Sequence, residues 1–293
     1  MVVEALMNPF QAEKHPLEVL ALGFIYATIA LFLALWVFED QAGLVMVFLT
    51  VMAALPLFYQ TMIFEEKKDF QVKSEWGIMK EHSKALVFFM VLFIGFSLAF
   101  TVWYTVLPEN VSTAIFQPQI KTINGINKEV SGNITGLISD GELFRQIFFN
   151  NIKVMIFSLF FSLLYGSGAI FVLTWNASVI SAAFGKFINL YISYFASNGS
   201  IEAVSYFKVV SLSLLRYSLH GIPEILAYFV SGLAGGILSV AIIRKDFSYK
   251  RMEKIMLDFS NLVILAIVIV LIAGVLEVYV TPLVFSLLHE QLI

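Results

Sequence analysis

The chain has 293 residues, of which 59% are apolar, 15% aromatic and 13% charged, with a formal net charge of −3 and no cysteine. Soluble domains carry about a quarter charged residues, so this composition and a mean hydropathy of +0.87 exclude an ordinary soluble protein and indicate an all-α, polytopic transmembrane bundle in the cell membrane. The missing cysteines exclude disulfides, thiolate metal ligands and cysteine nucleophiles, the negative charge argues against a nucleic-acid partner, and the short alternating segments of an outer-membrane barrel are lacking.

Met1 to His15 is mixed polar, so no cleavable signal is expected. The first span is expected at Leu17 to Phe38, followed by the polar turn Glu39-Asp40-Gln41 and a second span at Ala42 to Phe64. Pro56 is expected to kink that second helix. Residues 65–84 are charged and hold five lysines. A third span is expected at Ala85 to Leu107 and closes an N-terminal three-span region, 1–107. The polar loop 108–147 carries two glycosylation-type tripeptides, at Asn110 and Asn133. The C-terminal membrane domain, 148–293, opens with a fourth span at Phe148 to Leu173.

A piece broken by Gly185 and Lys186 follows, then a turn signal at Asn198-Gly-Ser200. Spans are expected at Ile222 to Ile243 and at Phe259 to Leu288, with Glu277 and Pro282 inside the last. Residues 244–258 hold five basic side chains. The positive-inside rule places them, together with 65–84 and the N-terminus, in the cytoplasm. The fourth span and the span ending at Ile243 then both run inward, which requires one more outward crossing, either 178–195 or 203–220. The count is about seven spans, within six to eight. The same parity puts the loop 108–147, Asn150-Asn151, the stretch Arg216 to Glu224 and Glu277 on the outer side.

The sequence Arg216-Tyr-Ser-Leu-His220-Gly-Ile-Pro-Glu224 is the chemically densest stretch. Proline is favoured at a first helical position and Gly221 loosens the backbone before it. The stretch therefore predicts a broken or re-entrant helix near 219–222, with Gly221, Pro223 and, in the last span, Pro282 as breakers. Glu224 would then meet the positive end of a helix dipole. One reading is a polar binding pocket of Asn150, Asn151, Arg216, His220, Glu224 and Glu277; the other is a membrane-edge cap with Glu224 paired to Arg216. Gly166 and Gly168, and then Gly232, Gly235 and Gly236, predict close helix packing, with a homodimer through Gly232 and Gly236 as one use. His220 and Glu224 have ligand-like spacing, but the expected break spoils it and no His-Glu-x-x-His occurs. No catalytic residue, metal or cofactor is expected.

Asn150-Asn151 opening a span, Trp175-Asn176 with Gly185 ten residues on, His220-Gly-Ile-Pro-Glu224-Ile-Leu-Ala, the glycines of 232–236 and Glu277-Val-Tyr-Val-Thr281-Pro282 together resemble the stage II sporulation protein M family, over roughly residues 145–288. The resemblance implies a membrane scaffold that recruits partners and takes part in membrane remodelling. Membrane lipids and other membrane or envelope proteins are the expected partners. The alternatives carried beside it are a transporter or lipid flippase using 219–224 as its binding element and, behind that, an intramembrane hydrolase using His220 and Glu224.

Overall fold

The computed structural model describes residues 7, 9–12, 14–71, 75–124, 139–165, 168–197, 203–244 and 249–284. Among them there is no strand, and seven helices are long and apolar enough to cross a membrane. These are α1 (Pro16–Val37), α2 (Ala42–Gln71), α3 (Glu75–Val106), α4 (Asp140–Tyr165), α5 (Ala169–Ser197), α6 (Ala203–Ile243) and α7 (Tyr249–Val275). With lipid unable to satisfy backbone groups, helices are the expected solution. α1 starts with Pro16 at its first position, where the missing N–H is no loss. It covers 22 residues, about 33 Å at 1.5 Å per residue, enough for the hydrocarbon core.

The expected count of seven holds, but several boundaries move. α2 continues through Pro56 to Gln71, and α3 begins at Glu75. Most of the charged segment 65–84 is thus helix rather than loop. The expected fourth span, 148–173, is two helices. α4 ends at Tyr165, the chain turns at Gly168, and α5 starts at Ala169. A Cβ on Gly168 would collide with the Phe161 carbonyl oxygen, so the reversal requires glycine there. α5 is the additional crossing that the sequence left open, and it begins nine residues before 178.

The expected break at 219–222 is absent: α6 is one helix of 41 residues with Gly221 and Pro223 inside it. A proline within a helix deprives a single carbonyl, here that of Leu219, of its partner. A break would free several backbone groups, each costing several kcal/mol at membrane depth. The continuous helix is the cheaper solution. Pro282 does not end its helix either. A π-helical turn, Leu276–Val280, widens α7 ahead of it, and residues 281–284 stay helical. The Thr281 N–H and its hydroxyl, at 2.9 Å, both donate to the Leu276 carbonyl.

α6 is the axis of the bundle. Its apolar stretch, Leu219–Ile243, is almost wholly buried, whereas no other span is more than about half buried. It contacts α2, α3, α4, α5 and α7. Phe229 of α6 stacks on Phe89 of α3 at 5.6 Å, and Phe89 stacks on Phe58 of α2 at 4.3 Å. Phe157 and Phe160 of α4 and Ile264, Val268 and Leu271 of α7 face outward, as a lipid-facing perimeter requires.

Candidate functional site

Hydrophobic burial does little to pair helices in lipid, so packing depends on close backbone approach and interhelical hydrogen bonds. The α4–α6 pair uses both. A Cβ on Gly235 would collide with the Leu159 carbonyl oxygen, and one on Gly232 would sit 2.6 Å from the Ala169 Cβ. Ser158 donates to the Tyr228 carbonyl at 3.0 Å, and Ser231 donates to the Met155 carbonyl at 3.2 Å. Gly232 and Gly236 are buried inside the monomer. Gly232 packs there against Ser158 of α4 and Ala169 at the start of α5.

At the upper end of this seam, Asn151 is 6% exposed and points at α6. Its Nδ2 donates to Glu224 Oε1 at 2.6 Å, and its Oδ1 accepts from the Tyr228 hydroxyl at 2.9 Å. Those two contacts determine which way the amide points, because only the nitrogen can donate and only the oxygen can accept. Glu224 and Tyr228 are four apart and share a helix face. The Glu224 carboxyl also faces that of Glu277, carried by the π-helical turn of α7. Beyond it, His220 Nδ1 lies 3.4 Å from Thr281 Oγ1. Thr281 has one hydroxyl proton and directs it to Leu276, so the ring nitrogen is the donor in that contact.

Four expected residues, Asn151, His220, Glu224 and Glu277, therefore meet where α4, α6 and the π-helical turn of α7 come together. Asn150 does not join them. It is exposed, because consecutive helical positions differ by about 100° and only one of the pair can face α6. The Arg216 side chain, Gly166, the Asn133 tripeptide and the Asn198-Gly-Ser200 turn lie outside the described residues. Glu224 lies well inside α6, not in a first turn, so its partner is the Asn151 amide and not a helix dipole. Tyr228 and Thr281 complete the cluster. The Tyr228 hydroxyl is four residues from Glu224, and that spacing is the signal that would have identified it.

A second polar cluster, missed in the sequence, lies at the opposite end of the bundle. Lys68 donates to Glu65 at 2.6 Å, Glu65 meets His82 Nδ1 at 2.8 Å, and His82 Nε2 meets Asp258 at 3.0 Å. Glu65 and His82 are fully buried. One imidazole thus bridges two carboxyl groups, one at each ring nitrogen. Arg244, just past α6, pairs with Glu66 at 3.0 Å. The network binds α2, α3 and α7 to the end of α6. Among the described residues, no group of three or more histidine, aspartate or glutamate side chains is placed to hold a metal.

A family model described as SpoIIM, stage II sporulation protein M, matches residues 85–282, about two thirds of the chain. The match begins sixty residues before the resemblance at 145 and takes in most of α3. No curated protein and no solved structure matches the chain.

Proposed function

The chain belongs to the stage II sporulation protein M family, and we propose that it is a non-enzymatic scaffold that assembles a membrane complex in membrane remodelling. The observation that carries this reading is how the Asn151 cluster uses its hydrogen bonds. Asn151 serves Glu224 and Tyr228, and Thr281, one turn from Glu277, serves Leu276 and His220. Polar groups committed to one another tie three helices together, as interhelical hydrogen bonds do in bundles. The large apolar side chains facing outward on α4 and α7 are then available to lipid or to a neighbouring membrane protein. On this reading the cluster lies on the outer side and the N-terminus in the cytoplasm.

A carrier loses its premise, because the binding element assigned to it was a break at 219–224 and the helix there is continuous. The test replaces Phe157 or Val268, both outward-facing, with a photo-crosslinking residue in the native membrane. Discrete protein adducts that weaken in Glu224→Gln, at unchanged membrane permeability, are the expected result. Adducts to lipid alone from both positions would sink the scaffold reading.

A further inference from the structure

A cavity of about 220 Å³ opens at the same end of the bundle as the Asn151 cluster, between the last turns of α5 and the segment that follows α3. The buried Tyr104 ring forms part of its lining and packs against Phe116 at 5.1 Å. Glu109 opens the short helix Glu109–Ile115 and lines one side. Lys186, Asn189 and Leu190 line the other, at the i, i+3 and i+4 spacing of one helix face. Among the described residues, no ion pair joins Lys186 to Glu109 or to any other carboxylate. A cation and an anion thus share one small recess without neutralising each other.

The depth of the recess is informative. The apolar part of α5 ends at Leu190, and that of α3 at Val106. Lys186 sits one turn inside one span end and Tyr104 two residues inside the other, at the level where lysine stems snorkel and tyrosines take the interface. The bland reading is a solvated groove with two independent surface charges. It leaves unexplained why both charges line a recess with a buried aromatic wall at headgroup depth. The volume is below the range of about 300–1,000 Å³ typical of drug-sized ligands, so the occupant is a compact polar group and not an acyl chain.

We propose that this recess binds a zwitterionic phosphoethanolamine group, with its phosphate against Lys186 and Asn189 and its ammonium against Glu109. Because the recess lies at the ends of two spans, its source is an aminophospholipid headgroup. Nothing in the scaffold reading requires this site.

The test is native mass spectrometry of the full chain in detergent, titrated with phosphatidylethanolamine, phosphatidylglycerol or free O-phosphoethanolamine. The expected result is retention of phosphatidylethanolamine about tenfold above phosphatidylglycerol, as one charge-assisted hydrogen bond implies. Lys186→Ala should lower that retention about tenfold, and Glu109→Gln should abolish the preference between the two lipids. Equal retention of both lipids by the unaltered chain, or variants that bind as it does, overturns the site. Competition by free O-phosphoethanolamine would support the same chemistry from a soluble source, and failure to compete supports the lipid. Both charged side chains are exposed, so their removal leaves the fold intact. Asn189→Ala, on the phosphate side, supplies an independent reading.

Discussion

His82 and Asp258 are 176 positions apart in sequence and 3.0 Å apart in space, joining α3 to α7 inside the bundle. Neither residue is notable alone. Together with Glu65 and Lys68 they form a buried chain of polar contacts at the end of the bundle opposite the Asn151 cluster. Buried pairs contribute little net stability when formed but are costly to break, because the orphaned partner keeps its desolvation penalty. This asymmetry leads to a prediction.

His82→Leu strands the Asp258 carboxylate and leaves Glu65 with Lys68 alone, and it should destabilise the protein by about 3–5 kcal/mol. The double change His82→Leu with Asp258→Leu removes one stranded charge and should recover part of the loss. Unfolding in detergent followed by circular dichroism reads both. Equal losses in the single and the double variant would contradict a linked network.

The Asn151 amide makes two contacts of opposite polarity. Asn151→Asp preserves size but replaces the donor with an acceptor facing Glu224. Asn151→Leu removes both contacts. Each should cost about 1–3 kcal/mol, the penalty for leaving a buried polar group unpaired, and Tyr228→Phe should cost less than Asn151→Leu, because it leaves one group without its partner, the Asn151 Oδ1, where the leucine leaves two. Melting in nanodiscs separates the three. Tyr228→Phe melting below Asn151→Leu would show that the amide is not the hub.

How much of this was legible follows from what hydropathy can and cannot register. The spans stand out because each is a long apolar run, and parity alone brought Asn151, Glu224 and Glu277 to one end. The reversal at Gly168 did not stand out, because residues 148–173 are apolar on both sides of the turn and a hydropathy sum has no direction. Neither did the His82 network. Glu65, Lys68, His82 and Asp258 read as loop charges until α2, α3 and α7 are extended and their ends brought together. Which of Asn150 and Asn151 faces inward depends on helix rotation, set by contacts such as that of Gly235 with Leu159.

Gly221 tests the largest difference between expectation and structure. A helix break would call for glycine there. In the continuous α6, a Cβ at Gly221 meets nothing within 4 Å. Gly221→Ala should therefore raise stability by about 0.5–1 kcal/mol, the helical preference of alanine over glycine. A lower melting temperature would favour a break after all.

Gly235 gives the opposite sign for the same kind of change. Its missing side chain lets the Leu159 backbone approach, so Gly235→Ala must separate α4 from α6. The expected loss is about 1–3 kcal/mol, as for overpacking, and it should weaken the Asn151–Glu224 contact further along the seam. Adding Asn151→Leu to Gly235→Ala should then cost less than the sum of the two single changes. Full additivity would mean that the glycine contact and the polar cluster act independently.

Orientation yields a prediction that the composition makes unusually clean, because the chain has no cysteine and every introduced thiol is unique. Seven crossings put the two chain ends on opposite sides, and the lysines and arginines around α2, α3 and α7 favour a cytoplasmic N-terminus. Asn110 is exposed beyond α3, and Lys250 is exposed at the start of α7, at the other end of the bundle. In intact cells a membrane-impermeant maleimide should label Asn110→Cys, and should label Lys250→Cys only after permeabilisation. The reverse pattern would turn the bundle over, moving the Asn151 cluster and the Lys186 recess to the cytoplasmic leaflet, with the His82 network facing outward.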